Sequence, residues 1–168
     1  MADFYGTAAG FRTYHTSRGR SVAAYDDDVE VVAKLLVASE WIDAKFQRSF
    51  GGTKVGQRAQ VREWPRNGAM DRDAYSISAD SVPTETISAT YEATLRELIA
   101  PGSLSIDWTP NTYKRVSVDG AISAEYNNFN AASDVQTQFI LIEQIIAPIL
   151  AGHGNGSMAS LSGAITRV

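Results

Sequence analysis

Apolar residues recur at helical spacing in several stretches of this chain and alternate in only two short ones. From Asp28 to Phe50, Val31, Leu35, Ala38, Ile42 and Phe46 hold one helix face, and Val32 and Leu36 widen it. Asp26, Asp27 and Asp28 precede the run, where carboxylates favour a helix start, and Gly51-Gly52 close it. This is the expected main core helix. Its opposite face reads Glu30, Lys34, Val37, Trp41, Lys45, Arg48, so Trp41 needs cover, from the first helix, the following loop or a neighbouring chain. A shorter helix is expected within residues 2–19, with Thr7 as N-cap, Ala8 and Phe11 on one side and Gly19 at the end. Val82-Pro83 opens a third, with Pro83 at the first helical position, Ile87, Tyr91, Leu95 and Leu98 as its buried face, and Pro101-Gly102 as its end. Ser133 and Gln136 form a capping box for the last helix, which reaches about Leu150. Phe139, Ile140, Leu141, Ile142, Ile145, Ile146 and Ile149 surround that helix almost completely, which predicts a central position, and Pro148 bends or ends it.

Alternation marks Leu104, Ile106 and Trp108, a short extended piece before Pro110, and then the segments flanking Asp119-Gly120. A two-residue turn there predicts a hairpin with Lys114 opposite Glu125 and Tyr113 opposite Tyr126. Val116 and Val118 then fall on one side, with Ile122 and both tyrosines on the other, so the hairpin needs cover from its own helices or from another subunit. Trp41, Tyr113, Val116, Val118, Ile122 and Tyr126 are therefore the inter-subunit candidates. The pattern as a whole predicts a mainly α protein: a helical bundle with a small β-hairpin in residues 1–152, followed by an extended tail over 153–168 that is too rich in Gly and Ser to build a core.

Composition narrows this picture. The 168 residues, 44% of them hydrophobic, support one core rather than two. Fifteen basic against 19 acidic residues give a net charge of −4, which argues against a surface that grips nucleic acid everywhere. With no cysteine there are neither disulfides nor thiolate metal sites. No secretion leader is read before the first charges, and Phe139–Ala151, broken by Glu143, Gln144 and Pro148, is too short to span a bilayer, so a soluble protein is expected, with no membrane partner.

Nothing in the residues assembles into an enzyme. His15 and His153 have no ligand-spaced partner, which predicts surface or capping roles, and no metal or other cofactor is called for. The GGTKVG segment at Gly51–Gly56 lacks the Gly-Lys-Ser/Thr ending of a phosphate loop. The one electrostatic feature is basic: Lys54, Arg58, Arg62 and Arg66 recur every fourth residue, a positive stripe if the segment is helical. Such a stripe is a solvated face, a DNA-backbone contact, or the mate of an acidic partner surface. Pro65 keeps Trp64 out of the α region, so any helix stops at about Glu63, and Trp64, Pro65 and Arg66 make an extended corner that is either a docking feature or a packing anchor.

The order of these signals resembles a known family. A Tyr-containing first helix, AxxWID at Ala38–Asp43, FxGxxxGQRAQxxEWPR from Phe50 to Arg66, a Val82-Pro83 helix start, VDGAISAEY at Val118–Tyr126, an apolar last helix and a Gly/Ser tail resemble the head-to-tail adaptor, or head completion, proteins of tailed phages. The sequence departs from that pattern around Asp71–Ser76, where the glycine expected after the aspartate is missing. The resemblance implies a non-enzymatic virion subunit that forms a closed ring of about twelve copies beneath the portal protein and receives a stopper or tail protein on its far side, with DNA passing through without sequence specificity. It implies a portal-docking arm containing Ser157, Met158, Leu161, Ile165, Arg167 and Val168, and residence in the host cytoplasm during assembly. Many relatives carry the label of DnaT-like single-stranded DNA-binding protein. That label supplies the alternative, a DNA-binding module using Lys54–Arg66 with Trp64 as a stacking platform.

Overall fold

The computed structural model describes residues 3–105, 115–118, 122–125 and 139–150. These form four helices, α1 (Ala8–Thr16), α2 (Asp28–Phe46), α3 (Thr84–Ile99) and α4 (Ile140–Ile146). Two antiparallel ribbons accompany them, β1 (Thr53–Lys54) with β2 (Arg66–Asn67), and β3 (Arg115–Val118) with β4 (Ile122–Glu125). The protein is mainly α with a small hairpin, as the apolar spacing predicts.

Helix α1 starts where expected: the Thr7 hydroxyl accepts from Gly10 N at 2.9 Å. Asp27 caps α2 by accepting from Val29 N at 2.9 Å, and Asp28 meets Arg12 of α1 at 2.6 Å, so the acidic run is a helix start tied to its neighbour. Helix α2 stops at Phe46, not at Phe50. Phe50 leaves the helix and pairs through an isolated bridge with Leu150, and Gly52 adopts φ +68° where an added Cβ would lie 2.2 Å from the Asn67 carbonyl.

Pro83 stands one residue before α3, as its N-cap. The face α3 buries is broader than apolar spacing indicates. Tyr91 and Leu98 are buried, but so are Thr86, Ala89, Thr90, Ala93 and Thr94. Small residues let α3 lie close on α2, and Thr90 and Thr94 each donate their hydroxyl to the carbonyl four residues earlier at 2.8 Å, which lets them enter the core satisfied. Gly6 and Gly10 admit the Tyr91 phenol: a Cβ on either would meet its ring or hydroxyl within 2.5 Å, and that hydroxyl accepts from Thr7 N at 3.1 Å.

The core divides into two clusters. One joins Ala8, Phe11, Val22, Val31, Leu35, Tyr91 and Leu98 between α1, the first half of α2, and α3. The other joins Tyr5, Ala38, Ile42, Phe46, Phe50 and Trp64 with Ala89 and Ala93 of α3 and Ile142, Ile146 and Ile149 at the C-terminal end. Helix α4 is central through Ile142 and Ile146, while Ile140 and Leu141 are exposed. A 3₁₀ turn, Ala147–Ile149, follows it at Pro148.

In the β3–β4 hairpin, Val118 pairs with Ile122 and Arg115 with Glu125. Three residues, not two, therefore separate the strands. This shifts the predicted register by one and pairs Val118 directly with Ile122. Tyr113, Tyr126, the Ser133–Gln136 capping box, His153 and the arm residues Ser157, Met158, Leu161, Ile165, Arg167 and Val168 lie outside the described residues, as do Ile106 and Trp108.

Candidate functional site

The long connection from α2 to α3 carries the basic motif. It is not helical: only one 3₁₀ turn, Gln57–Ala59, forms, and Gln60 is already extended. No positive stripe results. Arg58 is exposed, whereas Arg62 and Arg66 are each only 7% exposed and spend their guanidinium groups inside the chain.

Arg66 donates from Nε to the Gly51 carbonyl at 2.6 Å, from NH2 to the Gly52 carbonyl at 2.8 Å, and from NH1 to the Glu63 carboxylate at 2.6 Å. Lys54 reaches the other oxygen of Glu63 at 2.7 Å. Arg62 donates to the Asp3 carbonyl at 2.5 Å and pairs with Glu40 at 3.2 Å and Asp43 at 3.4 Å, both on α2. The acidic surface expected of a partner is thus supplied to Arg62 by its own chain. Gln60 completes the corner: its side-chain oxygen accepts from Gly56 N at 2.9 Å, and its amide nitrogen donates to the carbonyls of Arg62 and Pro65 at 2.9 and 3.0 Å.

Trp64, beside a cis Trp64–Pro65 bond, is 1% exposed and packs edge-on against Phe50, ring centroids 5.4 Å apart. It cannot serve as a stacking platform for a base in this conformation, because its faces are covered. Tyr5 fastens the corner to α2: its hydroxyl donates to Asp43 at 2.6 Å and accepts from Trp64 N at 3.1 Å. Burial, and then the Asp43 charge, push the Tyr5 phenol far above its ordinary pKa. Burial also raises the Asp43 carboxyl, outweighing the Tyr5 hydrogen bond and the Arg62 charge.

Trp41 is half-buried, and a residue from beyond α3 supplies part of its cover. Phe139, just before α4, packs edge-on at 5.3 Å, with Lys45 5.0 Å over the indole ring. Its place as an inter-subunit contact is thus taken in part from within the chain.

Sequence reasoning missed a second polar centre. His15, expected at the surface, is fully buried on α1, because the helix turns it inward with Phe11 rather than outward. Its Nε2 lies 3.1 Å from the Tyr91 carbonyl and its Nδ1 is 3.5 Å from Arg20. Burial lowers its pKa, with the Arg20 and Arg18 charges acting the same way against the Tyr91 hydrogen bond and Glu92. Arg20 holds both oxygens of the buried Glu92, at 2.9 and 2.7 Å, and Tyr14 donates to the same carboxylate at 3.3 Å. The only signal in the sequence is the four-residue spacing from Phe11 to His15, which places both on one helix face.

Two features of the α2–α3 connection are open to solvent. A cavity of about 400 Å³ is lined by Asp3, Val55, Gly56, Ala59, Gln60, Val61 and Arg62. Beyond the corner, Met70 and Ser76 form a bridge whose tip displays Tyr75 at 72% exposure. Among the described residues no group of three or more His, Asp or Glu is placed to hold a metal ion, and no helix is long and apolar enough to cross a membrane.

Such a body, a helical core with an internally bonded Trp-Pro-Arg corner, matches one family model over residues 1–167. The chain belongs to that family, described as "Putative DnaT-like ssDNA binding protein". No curated protein and no solved structure matches it.

Proposed function

We propose that this chain is a non-enzymatic structural subunit, a head-to-tail adaptor that forms a ring, dodecameric as the resemblance implies, between the portal and the tail-side stopper or tail protein of a tailed phage. The observation that carries this reading is the commitment of Lys54, Arg62 and Arg66 to Glu63, Glu40 and Asp43. The most basic segment of the chain serves its own fold, and the chain as a whole is acidic on balance, at net −4. That suits a channel through which DNA slides, since each phosphate contact would strengthen binding and slow passage. On this reading the protein resides at the head–tail interface of the virion, after assembly in the host cytoplasm, and residues 157–168 dock on the portal. Deleting those residues should leave the subunit folded and abolish its incorporation into heads; infectious particles built with the truncated protein would end the docking role.

The family description favours a second reading, binding of single-stranded DNA. With Trp64 closed and Arg62 and Arg66 engaged, the cations available to it include Arg48, Arg58 and Arg72, all exposed. Titration of a labelled oligonucleotide across salt concentrations separates the two. The adaptor predicts no sequence-independent binding at physiological salt. Micromolar binding that weakens steeply with salt, and is lost in an Arg58→Ala/Arg72→Ala variant, would establish DNA binding instead.

A further inference from the structure

The tip at Met70–Ser76 is built to hold an aromatic outward. Asp71 organises it: its side-chain oxygen accepts from Asp73 N at 2.9 Å and Tyr75 N at 2.8 Å, and its own N–H donates to the Tyr75 carbonyl at 2.9 Å. Ala74 turns the chain at φ +67°. The product is a fixed loop with Tyr75 72% and Met70 55% exposed, flanked by exposed Arg72 and Asp73. Because the loop is already held by its own hydrogen bonds, seating it against a partner costs little further ordering.

The cavity beside the corner has complementary features. Val55, Ala59 and Val61 give it apolar walls, with Val61 67% exposed, and its roughly 400 Å³ has room for an aromatic ring. Exposed Asp3 lines it, and exposed Arg58 stands next to the lining residue Ala59. Among the described residues none of Asp3, Arg58, Arg72 and Asp73 forms an ion pair. The tip thus presents Arg72 and Asp73 beside an apolar knob, with Asp71 bonded to its own backbone, and the cavity presents Asp3 and the neighbouring Arg58 around an apolar recess, its lining Arg62 being already paired with Glu40 and Asp43. No tip residue lines the cavity of its own chain.

We infer that the Tyr75 tip of one copy of this chain seats in the Val55–Val61 cavity of the next, with Arg72 and Asp73 facing Asp3 and Arg58. Two different patches meet, so the contact is head-to-tail and propagates to a closed ring where the rotation allows it. This rests on the ring proposed above and names its contact.

The chain has no cysteine, so introduced thiols report without background. A Tyr75→Cys protein mixed with a Val61→Cys protein under mild oxidation should give a covalent dimer containing one of each, and neither protein alone should give it. A variant carrying both substitutions should give a ladder of higher multimers. Tyr75→Ala should shift the native mass toward the monomer without changing the unfolding midpoint measured at concentrations where the parent is also monomeric. Equal dimerisation of Tyr75→Cys alone, or a purely internal disulfide in the double variant, would overturn the contact. Multimers by native mass that fail to crosslink at this pair would discard the contact and leave the ring standing, whereas monomer at every concentration would remove both.

Discussion

The connection between α2 and α3 holds two neighbouring segments built on opposite plans. Gln57–Arg66 is rich in charge, yet Gln60, Arg62, Trp64 and Arg66 are all buried, with the Gln60 amide and both buried guanidinium groups bonded inside the chain. Met70–Ser76 is equally ordered by hydrogen bonds but turns its largest side chains to solvent. Charge along a sequence is therefore a poor guide to exposure. What decides is whether carboxylates and carbonyls of the same chain lie within reach of the cations. The inward segment has Glu40, Asp43, Glu63 and the Gly51 and Gly52 carbonyls within bonding distance of its cations; in the outward one Asp71 bonds its own backbone, and among the described residues neither Arg72 nor Asp73 forms an ion pair.

On that contrast, substitutions at the buried positions of the first segment destabilise the protein, and those at exposed positions of either segment do not. Trp64→Ala, which empties a site against Phe50, should cost about 3–5 kcal/mol in urea unfolding; a near-neutral result would mean the corner is not core. Arg66→Ala should cost about 3 kcal/mol, because it leaves the Gly51 and Gly52 carbonyls without their donor in a half-closed site and Glu63 with Lys54 as its remaining cation, and Arg66→Lys should recover only part of that. Tyr5→Phe should cost about 1–2 kcal/mol through Asp43 and Trp64 N. It carries a pH signature as well. The raised Tyr5 pKa means the folded state keeps a proton that the unfolded chain sheds, so stability falls as pH rises past about 10, and that contribution disappears in Tyr5→Phe. Ala74→Gly should raise stability by about 0.5–1 kcal/mol, since glycine tolerates the positive φ and offsets only part of that gain through its chain entropy. Smallest of all, Arg58→Ala and Tyr75→Ala should stay within about 0.5 kcal/mol of the parent.

Helical periodicity made α1, α2 and α3 legible because apolar spacing is a local property, and the Thr7 cap and the acidic start of α2 are local too. The C-terminal end of α2 was not legible: Phe50 keeps the helical spacing, but its pairing with Leu150, a hundred residues away in the chain, takes it out of the helix. The basic spacing misled for the same reason. Positions four apart form a stripe only on a helix, and the Gln60 side chain, bonded to the Gly56, Arg62 and Pro65 backbone, holds this segment in another conformation. His15 and the Arg20–Glu92 pair escaped notice because 72 residues separate the two charges and nothing local announces their meeting. The expected corner at Trp64–Arg66 could be seen in outline, since proline restricts the residue before it, but the depth at which Trp64 lies depends on Tyr5 and Phe50.

One backbone detail sets how the protein would carry load. Leu150 pairs with Phe50, and the Arg72 N–H donates to the Pro148 carbonyl at 2.8 Å, so the stretch after α4 is stitched to the α2–α3 connection at two separate points. Tension applied at the C-terminal end would enter through those stitches and spread into the Trp64 corner and the Tyr75 tip before it could peel α4 from the bundle. A pull on the terminus would be felt by the whole connection at once.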